Sequence, residues 1–167
     1  MLQNKDLQIA EFMTQRPVTV PIGTSIQKAS EKLSYYRIGS LVVVDEDKKL
    51  LGIFTTRDIV YDIIALDKNP VKTLVDDIMV TNIITISPEK TIQEAMELMS
   101  TNDIRQLPVV TGEKLIGFVT MKDILRVEPA LVDLAVDSFR AEEEYRRRCI
   151  QDLAQHPEKR IDELLKK

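Results

Sequence analysis

The chain has 167 residues, which is enough for one compact domain or two closely packed halves, and its 44% hydrophobic and 30% charged residues are typical of a soluble globular protein. A formal charge of −4 disfavours nucleic acid as the main partner, because a phosphate backbone requires a basic protein surface. Cys149 is the only cysteine, so the chain cannot form an internal disulfide. His156 is the only histidine, and these two residues cannot build a metal site together.

The first part of the chain alternates helical and extended patterns. In chain order we predict a short helix at 6–13, an extended segment at 18–20, a helix at 25–36 and two strands at 41–44 and 50–54. Pro17 ends the first helix, and Ser25 caps the second. The continuous β-branched run at 41–44 indicates a strand that is buried on both faces.

The segment that follows the second strand occurs twice. Residues 52–59, Gly-Ile-Phe-Thr-Thr-Arg-Asp-Ile, are echoed 65 positions later by residues 117–124, Gly-Phe-Val-Thr-Met-Lys-Asp-Ile. Upstream the separation is 66, and the matched pairs are Met13 with Met79, Thr19 with Thr85, and Ile38 with Ile104. The chain therefore divides into a first repeat at 6–65, a linker at 66–74, a second repeat at 75–129 and a non-repeating extension at 130–167.

Each repeated segment places Thr-x-x-Asp where a strand turns directly into a helix. Such a helix start has unpaired N–H groups and the positive end of the helix dipole, so it can receive an anion, and the carboxylate can accept bonds from hydroxyl groups. The same spacing is also that of a capping box, in which Thr and Asp bond each other's backbone amides. From the residues alone, both interpretations stay open.

Two short repeats rarely stand apart, because each leaves an apolar sheet face that needs cover. We therefore predict an α+β fold in which two β-α-β-β-α repeats pack sheet to sheet about a pseudo-twofold axis, followed by a helical C-terminal extension. This symmetry would create two related clefts, each facing one Thr-x-x-Asp helix start.

In this order of elements, given twice in register, the chain resembles the CBS domain pair, also called a Bateman module. The resemblance covers about residues 9–65 and 73–129 and is carried by the repeated Gly-x-x-Thr-x-x-Asp together with Leu-Pro-Val-Val at 107–110. It implies a homodimeric regulatory module that is not an enzyme and has no catalytic cofactor. Its expected ligand is an adenine nucleotide, AMP, ADP or ATP.

The resemblance also implies site residues. In the family the Asp accepts from the ribose hydroxyls and the Thr lies near ribose or phosphate, while the base lies against the early strand and the start of the Val-rich strand. If the family's crossed geometry applies, one cleft joins Thr19, Ile38, Gly39 and Ser40 to Thr120 and Asp123. The other joins Thr85, Ile104, Arg105 and Gln106 to Thr55 and Asp58. Arg57 and Lys122 are candidate phosphate contacts, and Arg105, opposite Gly39 in the repeat, would favour more phosphate charge.

Other residues have simpler interpretations. Met79, Met96, Met99 and Met121 occupy core positions, and Tyr35 and Tyr36 could stack on a base but favour a core or interface role. In the extension, Glu142, Glu143 and Glu144 precede Arg146, Arg147 and Arg148 by four positions each, which predicts a helix with ion pairs and a contact with a subunit or protein partner.

Alternative functions also remain. One is a structural dimerisation scaffold with vestigial clefts, and another is a binder of a different adenosyl ligand, such as S-adenosylmethionine or NAD. The N-terminal residues lack the apolar core of a signal peptide, and no apolar run approaches the roughly twenty residues of a membrane span. We therefore expect a cytoplasmic protein without a membrane partner.

Overall fold

The computed structural model describes residues 7–129 together with Glu144, Arg147, Arg148, Ile150 and Gln151. It separates the chain into two compact units, and the first, which ends at Val127, contains both sheets. In the second unit the five described residues from 144 to 151 are helical and exposed, and the rest of the ion-pair prediction lies outside the described residues.

The first repeat contains a three-stranded sheet covered by one long helix. Its elements are β2 (Thr19–Pro21), α2 (Ile26–Tyr36), β3 (Ser40–Val44), β4 (Leu50–Thr55), α3 (Thr56–Asp58) and a π-helical segment (Ile59–Ile64). Strand β3 lies between β2, which runs parallel to it, and β4, which runs antiparallel. The Ser25 hydroxyl caps α2 by accepting from the Lys28 amide, and Ala29 and Leu33 turn the helix's apolar side into the core. The helix predicted at 25–36 and both strands are thus confirmed.

The second repeat copies this arrangement. Its elements are α4 (Ile92–Thr101), β5 (Gln106–Thr111), β6 (Lys114–Thr120) and α5 (Met121–Val127), preceded by a 3₁₀ turn (Val75–Asp77). Residues 84–86, which match the extended segment 18–20 of the first repeat, are reduced to a single bridge between Ile86 and Val109. The reason is Pro108, which stands where the first repeat has Val42. Because proline lacks the N–H that the Ile84 carbonyl would need, the parallel ladder cannot extend.

The segment at the start of the first repeat packs on the second repeat. Helix α1 (Ile9–Phe12) donates from the Ile9 amide to the Lys90 carbonyl at 2.8 Å, and β1 (Thr14–Gln15) pairs with the outer edge of β6. The helix predicted at 6–13 is thus present at Ile9–Phe12, but Pro17 is not the residue that ends this helix. It ends at Phe12, because Thr14 and Gln15 are extended to complete the sheet.

A matching exchange runs in the other direction. Val80, from the start of the second repeat, forms two amide-to-carbonyl bonds with Ile53 of β4, at 2.8 and 3.1 Å. The Val75 amide donates to the Thr24 carbonyl at 2.9 Å, and the Val75 side chain is buried in the first core. Residues 73–80 thus complete the first sheet, as residues 7–15 complete the second.

The two sheets face each other, which confirms the predicted pseudo-twofold packing. Val42, Val44, Leu50 and Ile53 from the first sheet form an apolar cluster with Leu115 and Phe118 from the second. At the hairpin turns, the Leu50 amide donates to the Glu113 carbonyl and the Leu115 amide to the Lys48 carbonyl, both at 3.1 Å. An ion pair of 2.9 Å between Lys49 and Glu113 joins the same turns and raises the pKa of Lys49. Within the described residues, no helix combines the length and apolar character needed to cross a membrane.

Candidate functional site

The first Thr-x-x-Asp segment forms a capping box where β4 turns into α3. The Thr55 amide and hydroxyl both donate to Oδ2 of Asp58, at 2.6 and 2.9 Å. The Asp58 amide donates back to the Thr55 hydroxyl oxygen at 3.3 Å. Both side chains are half-buried, so the carboxylate is held in one orientation at the end of the strand.

The second segment repeats this geometry. The Thr120 amide and hydroxyl donate to Oδ2 of Asp123 at 3.0 and 2.6 Å, and the Asp123 amide donates to the Thr120 hydroxyl oxygen at 3.3 Å. The capping interpretation is therefore confirmed for both copies. A cap fixes the position of a carboxylate without consuming all of its lone pairs, so capping and ligand binding are compatible.

The residues just before β3 and β5 form backbone hydrogen bonds with the same two helix starts. The Thr56 amide donates to the Gly39 carbonyl, and the Met121 amide donates to the Arg105 carbonyl, both at 2.9 Å. In each helix, the first amide is therefore bonded to this carbonyl and the third amide is bonded to the Thr hydroxyl of the capping box, so only the second of the first three amides is left. The amides left for a phosphate are correspondingly few, so the groups that each start offers to a ligand are mainly the Thr hydroxyl and the Asp carboxylate.

One hydrogen bond joins the two repeats at this site. Ser40 pairs with Thr55 across β3 and β4, and Gln106 pairs with Thr120 across β5 and β6. The Ser40 hydroxyl then donates to Oε1 of Gln106 at 2.7 Å. The four residues therefore form a continuous row, Thr55, Ser40, Gln106 and Thr120, with one capping box at each end. We call this set the dyad row.

Each predicted cleft joins residues of one repeat to the Thr/Asp pair of the other repeat, and the dyad row brings these two sets together only in part. Each of Ser40 and Gln106 is a direct neighbour of its own repeat's box and reaches the other repeat through the Ser40–Gln106 bond. The crossed assignment of base-binding residues to the opposite Thr/Asp pair remains a prediction.

Thr19 and Thr85, the matched early-strand residues, lie in different settings. Thr19 begins β2 beside Val42, and its carbonyl accepts from the Lys32 ammonium at 2.9 Å. Thr85 lines a hollow of about 680 Å³ between α4 and the end of β5, and none of the residues around this hollow belongs to either box. At its rim, the Lys90 ammonium and the Thr91 amide bond Glu94 and lower the pKa of that carboxyl.

The remaining predicted residues lie near the two helix starts. Ile38 and Ile104 come just after α2 and α4 and are half-buried. The Ile38 amide donates to the Leu33 carbonyl, and the Ile104 amide donates to the Met99 carbonyl. Arg57, Lys122 and Arg105 are exposed, and a Cβ built on Gly39 would meet open space. At this matched position the second copy has an exposed arginine and the first has open space, and the predicted difference between the two clefts stays a prediction.

The helices behind the boxes also differ. In the first repeat α3 passes into the π-helical segment Ile59–Ile64, whereas in the second α5 is a regular helix. Because π-helical turns are rare and cluster at functional sites, this difference adds to the asymmetry of the two copies.

A contact that the sequence analysis missed fixes each box-bearing strand from behind. Met79 packs directly over Gly52 in β4, and Met13 packs over Gly117 in β6. Met96, Met99 and Met121 are buried, which confirms packing roles, and Met79 packs against the first core. The signal for these contacts was present, because Met and Gly recur at matched positions of the repeat.

In the part of the chain that the structure describes, no three His, Cys, Asp or Glu residues converge in a way that could hold a metal ion. Cys149 and His156 lie outside the described residues.

Comparisons with known proteins identify both repeats. The CBS domain family model matches residues 9–65 and 75–130. An uncharacterized protein of Methanopyrus kandleri is 42% identical over 113 residues, which are 67% of this chain and 57% of that protein. The mitochondrial CBS domain-containing protein CBSX3 of Arabidopsis thaliana is 36% identical over 106 residues, which are 61% of this chain and 52% of that protein. The chain thus spans about half the length of these relatives.

A solved structure extends the comparison to ligands. The CBS domain pair of protein MJ0100, in complex with 5′-methylthioadenosine and S-adenosyl-L-methionine, has a TM-score of 0.66 and 30% identity and covers 74% of this chain and 96% of its own. The family model matches both repeats and more than half of the chain, and the solved neighbour is itself a CBS domain pair, so the chain belongs to the CBS domain family.

Proposed function

We propose that this chain is a regulatory module that binds an adenine nucleotide of the AMP, ADP or ATP class in clefts between its two CBS repeats and transmits occupancy to a partner. The observation that carries the proposal is the dyad row, which places two oriented carboxylates at the contact between the repeats. The proposal assigns the module no catalytic role.

The carboxylates suit a ribose. A ribose that leaves water needs acceptors for its two adjacent hydroxyls, and a single carboxylate can accept from both through charge-assisted bonds. Asp58 and Asp123 are half-buried and held by their Thr partners, so they would meet the sugar without further ordering. Aliphatic neighbours such as Ile38 and Ile104 offer the apolar surface that a purine needs.

The proposed ligands have an adenosine group in common with the ligands of a similar protein. The MJ0100 pair binds 5′-methylthioadenosine and S-adenosyl-L-methionine, which share an adenosine and lack phosphate. For this chain, Arg105 beside the second helix start supports a nucleotide with phosphate charge, whereas Gly39 leaves the first without a cation at the matched position. We therefore expect the two clefts to differ in their preference for phosphate.

The test is thermal unfolding with AMP, ADP, ATP, NAD, S-adenosylmethionine and 5′-methylthioadenosine. A ligand at about 100 times its Kd stabilises the folded state by about 2.7 kcal/mol, which raises the midpoint of a protein of this size by roughly 5–10 °C. Asp58→Ala and Asp123→Ala should each lower this shift, because each removes one ribose acceptor. No shift with any of the six compounds, or unchanged shifts in both variants, would contradict the proposal.

A matched control separates ligand binding from capping. Thr91 and Glu94 form another capping box at the start of α4, with the same three bonds. Glu94→Ala should lower the midpoint without ligand, since it removes a cap as the two Asp variants do. Because Glu94 lies outside the dyad row, its ligand shift should equal that of the unchanged protein.

We further propose that the module acts as a homodimer and that the C-terminal extension contacts a protein partner. A binding module without a catalytic site must pass its signal to another protein surface, and occupancy can shift that contact only if the two states bind the partner differently. Removal of residues 130–167 should then abolish partner binding and leave the ligand shift intact.

A further inference from the structure

The single bridge between Ile86 and β5 leaves the second sheet with an open edge. The Ile86 amide donates to the Pro108 carbonyl and the Val110 amide donates to the Ile86 carbonyl, both at 3.0 Å, so Ile86 faces β5. Because the backbone groups of successive residues in an extended segment point to opposite sides, those of Thr85 and Ser87 point away from β5. Among the described residues, no group bonds the Thr85 amide, the Thr85 carbonyl or the Ser87 amide. We call these three groups the second edge.

The hollow beside α4 lies along this edge. It has a volume of about 680 Å³, and its lining includes Thr85 and Ser87 together with Glu94, Glu97 and Leu98 from one side of α4. This volume lies within the roughly 300–1,000 Å³ that is usual for binding hollows in proteins. The hollow therefore has room for a short extended segment that lies against the second edge.

The first repeat closes its matched edge with two residues. The Ile22 amide donates to the Val44 carbonyl at 3.2 Å, so Thr19 and Pro21 occupy the outward places of β2. The Lys32 ammonium donates to the Thr19 carbonyl at 2.9 Å, and Pro21 has no amide hydrogen. Lysine and proline are residues with which natural proteins prevent the edge of a sheet from pairing with another chain.

The second repeat has neither of these two residues. Leu98 stands 66 positions after Lys32, and Ser87 stands 66 positions after Pro21. A leucine side chain cannot donate to the Thr85 carbonyl, and a serine keeps its amide hydrogen. Because the two repeats share one fold, folding does not require this difference. It indicates that the second edge makes a contact from which the first edge is blocked.

We infer that the second edge binds an extended peptide segment of a protein partner, which adds a strand to the second sheet. An extended backbone presents amides and carbonyls at the same spacing as the edge, so it can bond all three groups. This contact is separate from the one proposed for the C-terminal extension, and it does not require a bound nucleotide.

The charges around the hollow favour a basic segment. The lining contains two carboxylates, from Glu94 and Glu97, and one ammonium group, from Lys90. Lys90 pairs with Glu94 at 2.6 Å, whereas Glu97 is exposed and forms no ion pair with any described residue. A lysine or arginine of the bound segment can therefore pair with Glu97, and an acidic segment would be repelled.

The experiment closes the second edge with the residues of the first. Short random peptides displayed on phage are selected on the full chain, and fluorescence anisotropy gives the dissociation constants of the selected peptides. These peptides should be basic and rich in β-branched residues. The double variant Ser87→Pro, Leu98→Lys should raise the dissociation constant at least about tenfold, because it removes the amide hydrogen and occupies the Thr85 carbonyl.

Two controls accompany this variant. Ser100→Lys adds the same charge to an exposed place on α4 outside the hollow and should change the dissociation constant less than about twofold. If the double variant fails to fold, Ser87→Pro alone should still weaken binding, since Pro21 shows that this place of the repeat accepts proline.

Modified peptides separate strand pairing from charge. Methyl groups on alternate backbone amides of a selected peptide keep its side chains and remove the donors on one side of the strand. Methylation of the side that faces the second edge should abolish binding, and methylation of the other side should change it little. Hydrogen exchange should also show that the bound peptide protects the amides of Thr85 and Ser87.

Each contrary result has a definite meaning. If no peptide is selected, or if the peptides bind the double variant as tightly as the unchanged chain, the inference is wrong. Equal binding of both methylated forms would mean that the hollow holds side chains and pairs with no strand, which also contradicts it. If the double variant weakens self-association in sedimentation equilibrium, the edge binds a second copy of this chain instead. None of these results bears on the nucleotide, which the thermal shifts test by themselves.

Discussion

The two glycines that precede the boxes show how single residues hold this site. At Gly52 a Cβ would lie 2.7 Å from Cγ and 2.9 Å from Cβ of Met79, as well as overlapping the sulfur. At Gly117 only the Met13 sulfur would overlap, since the nearest carbons lie 3.1 and 3.2 Å away. The Met13 side chain can swing aside, whereas Met79 is blocked close to its backbone.

We therefore predict unequal costs for two matched substitutions. Gly52→Ala should lower the free energy of unfolding by about 1–3 kcal/mol through overpacking. Gly117→Ala should cost less than about 1 kcal/mol, because Met13 can relax and alanine restricts the unfolded chain. Urea unfolding measures both. Adding Met79→Ala to Gly52→Ala should recover part of the loss, and equal costs at the two glycines would show that the Met contacts do not distinguish them.

At the level of residues, the sequence was a good guide to the boxes and a poor one to their neighbours. Thr55, Asp58, Thr120 and Asp123 were predictable because a strand, a Thr-x-x-Asp spacing and a helix are all local in the chain. The bond between Ser40 and Gln106 was not, because it joins residues 66 positions apart whose contact depends on how the repeats pack.

Among the elements, the helices and hairpin strands follow the local sequence patterns. The segments that each repeat contributes to the other's sheet, residues 7–15 and 73–80, do not follow such patterns. Helix α2 and strands β3 and β4 match their predicted bounds within one residue. Thr14 and Gln15 pair with β6, about a hundred residues further along the chain, and no local periodicity predicts such a partner. Pro108 shows the reverse case, since its missing amide explains from one residue why an expected strand is only a bridge.

The exchange predicts that a substitution in one repeat weakens the other. Ile9 is fully buried, and its amide bonds Lys90, so Ile9→Ala should cost about 2–5 kcal/mol. Hydrogen exchange should show the larger loss of protection in α4, β5 and β6 of the second repeat. Val75→Ala is the mirror control, because Val75 is buried in the first core, and it should affect β3 and β4 more. Equal losses across both sheets, or losses confined to the substituted repeat, would contradict the exchange.

On the scale of the whole module, the contact between the repeats both stabilises the fold and holds the residues proposed to bind the ligand. The sheet faces supply an apolar cluster, the hairpin turns supply backbone bonds, and the dyad row supplies the bond between Ser40 and Gln106. Repetition made this symmetry predictable, while a difference between the copies such as the π-helical segment Ile59–Ile64 depends on packing that the repeat pattern does not encode. Since both boxes end the same row, any ligand that moves one box acts on a structure shared with the other.

The dyad row can be measured as an energetic unit by a double-mutant cycle. Ser40→Ala and Gln106→Ala should each destabilise the module, because each leaves a half-buried polar partner unpaired, and the double variant should cost less than the two together by about 0.5–1.5 kcal/mol. A control cycle pairs Gln106→Ala with Ser30→Ala, whose hydroxyl bonds the Ile26 carbonyl within α2, and should be additive within about 0.5 kcal/mol. Urea unfolding of the six proteins provides the values. Additivity in the Ser40–Gln106 cycle would mean that the two repeats are joined by their apolar faces and hairpin turns alone, and that the row cannot connect one box to the other.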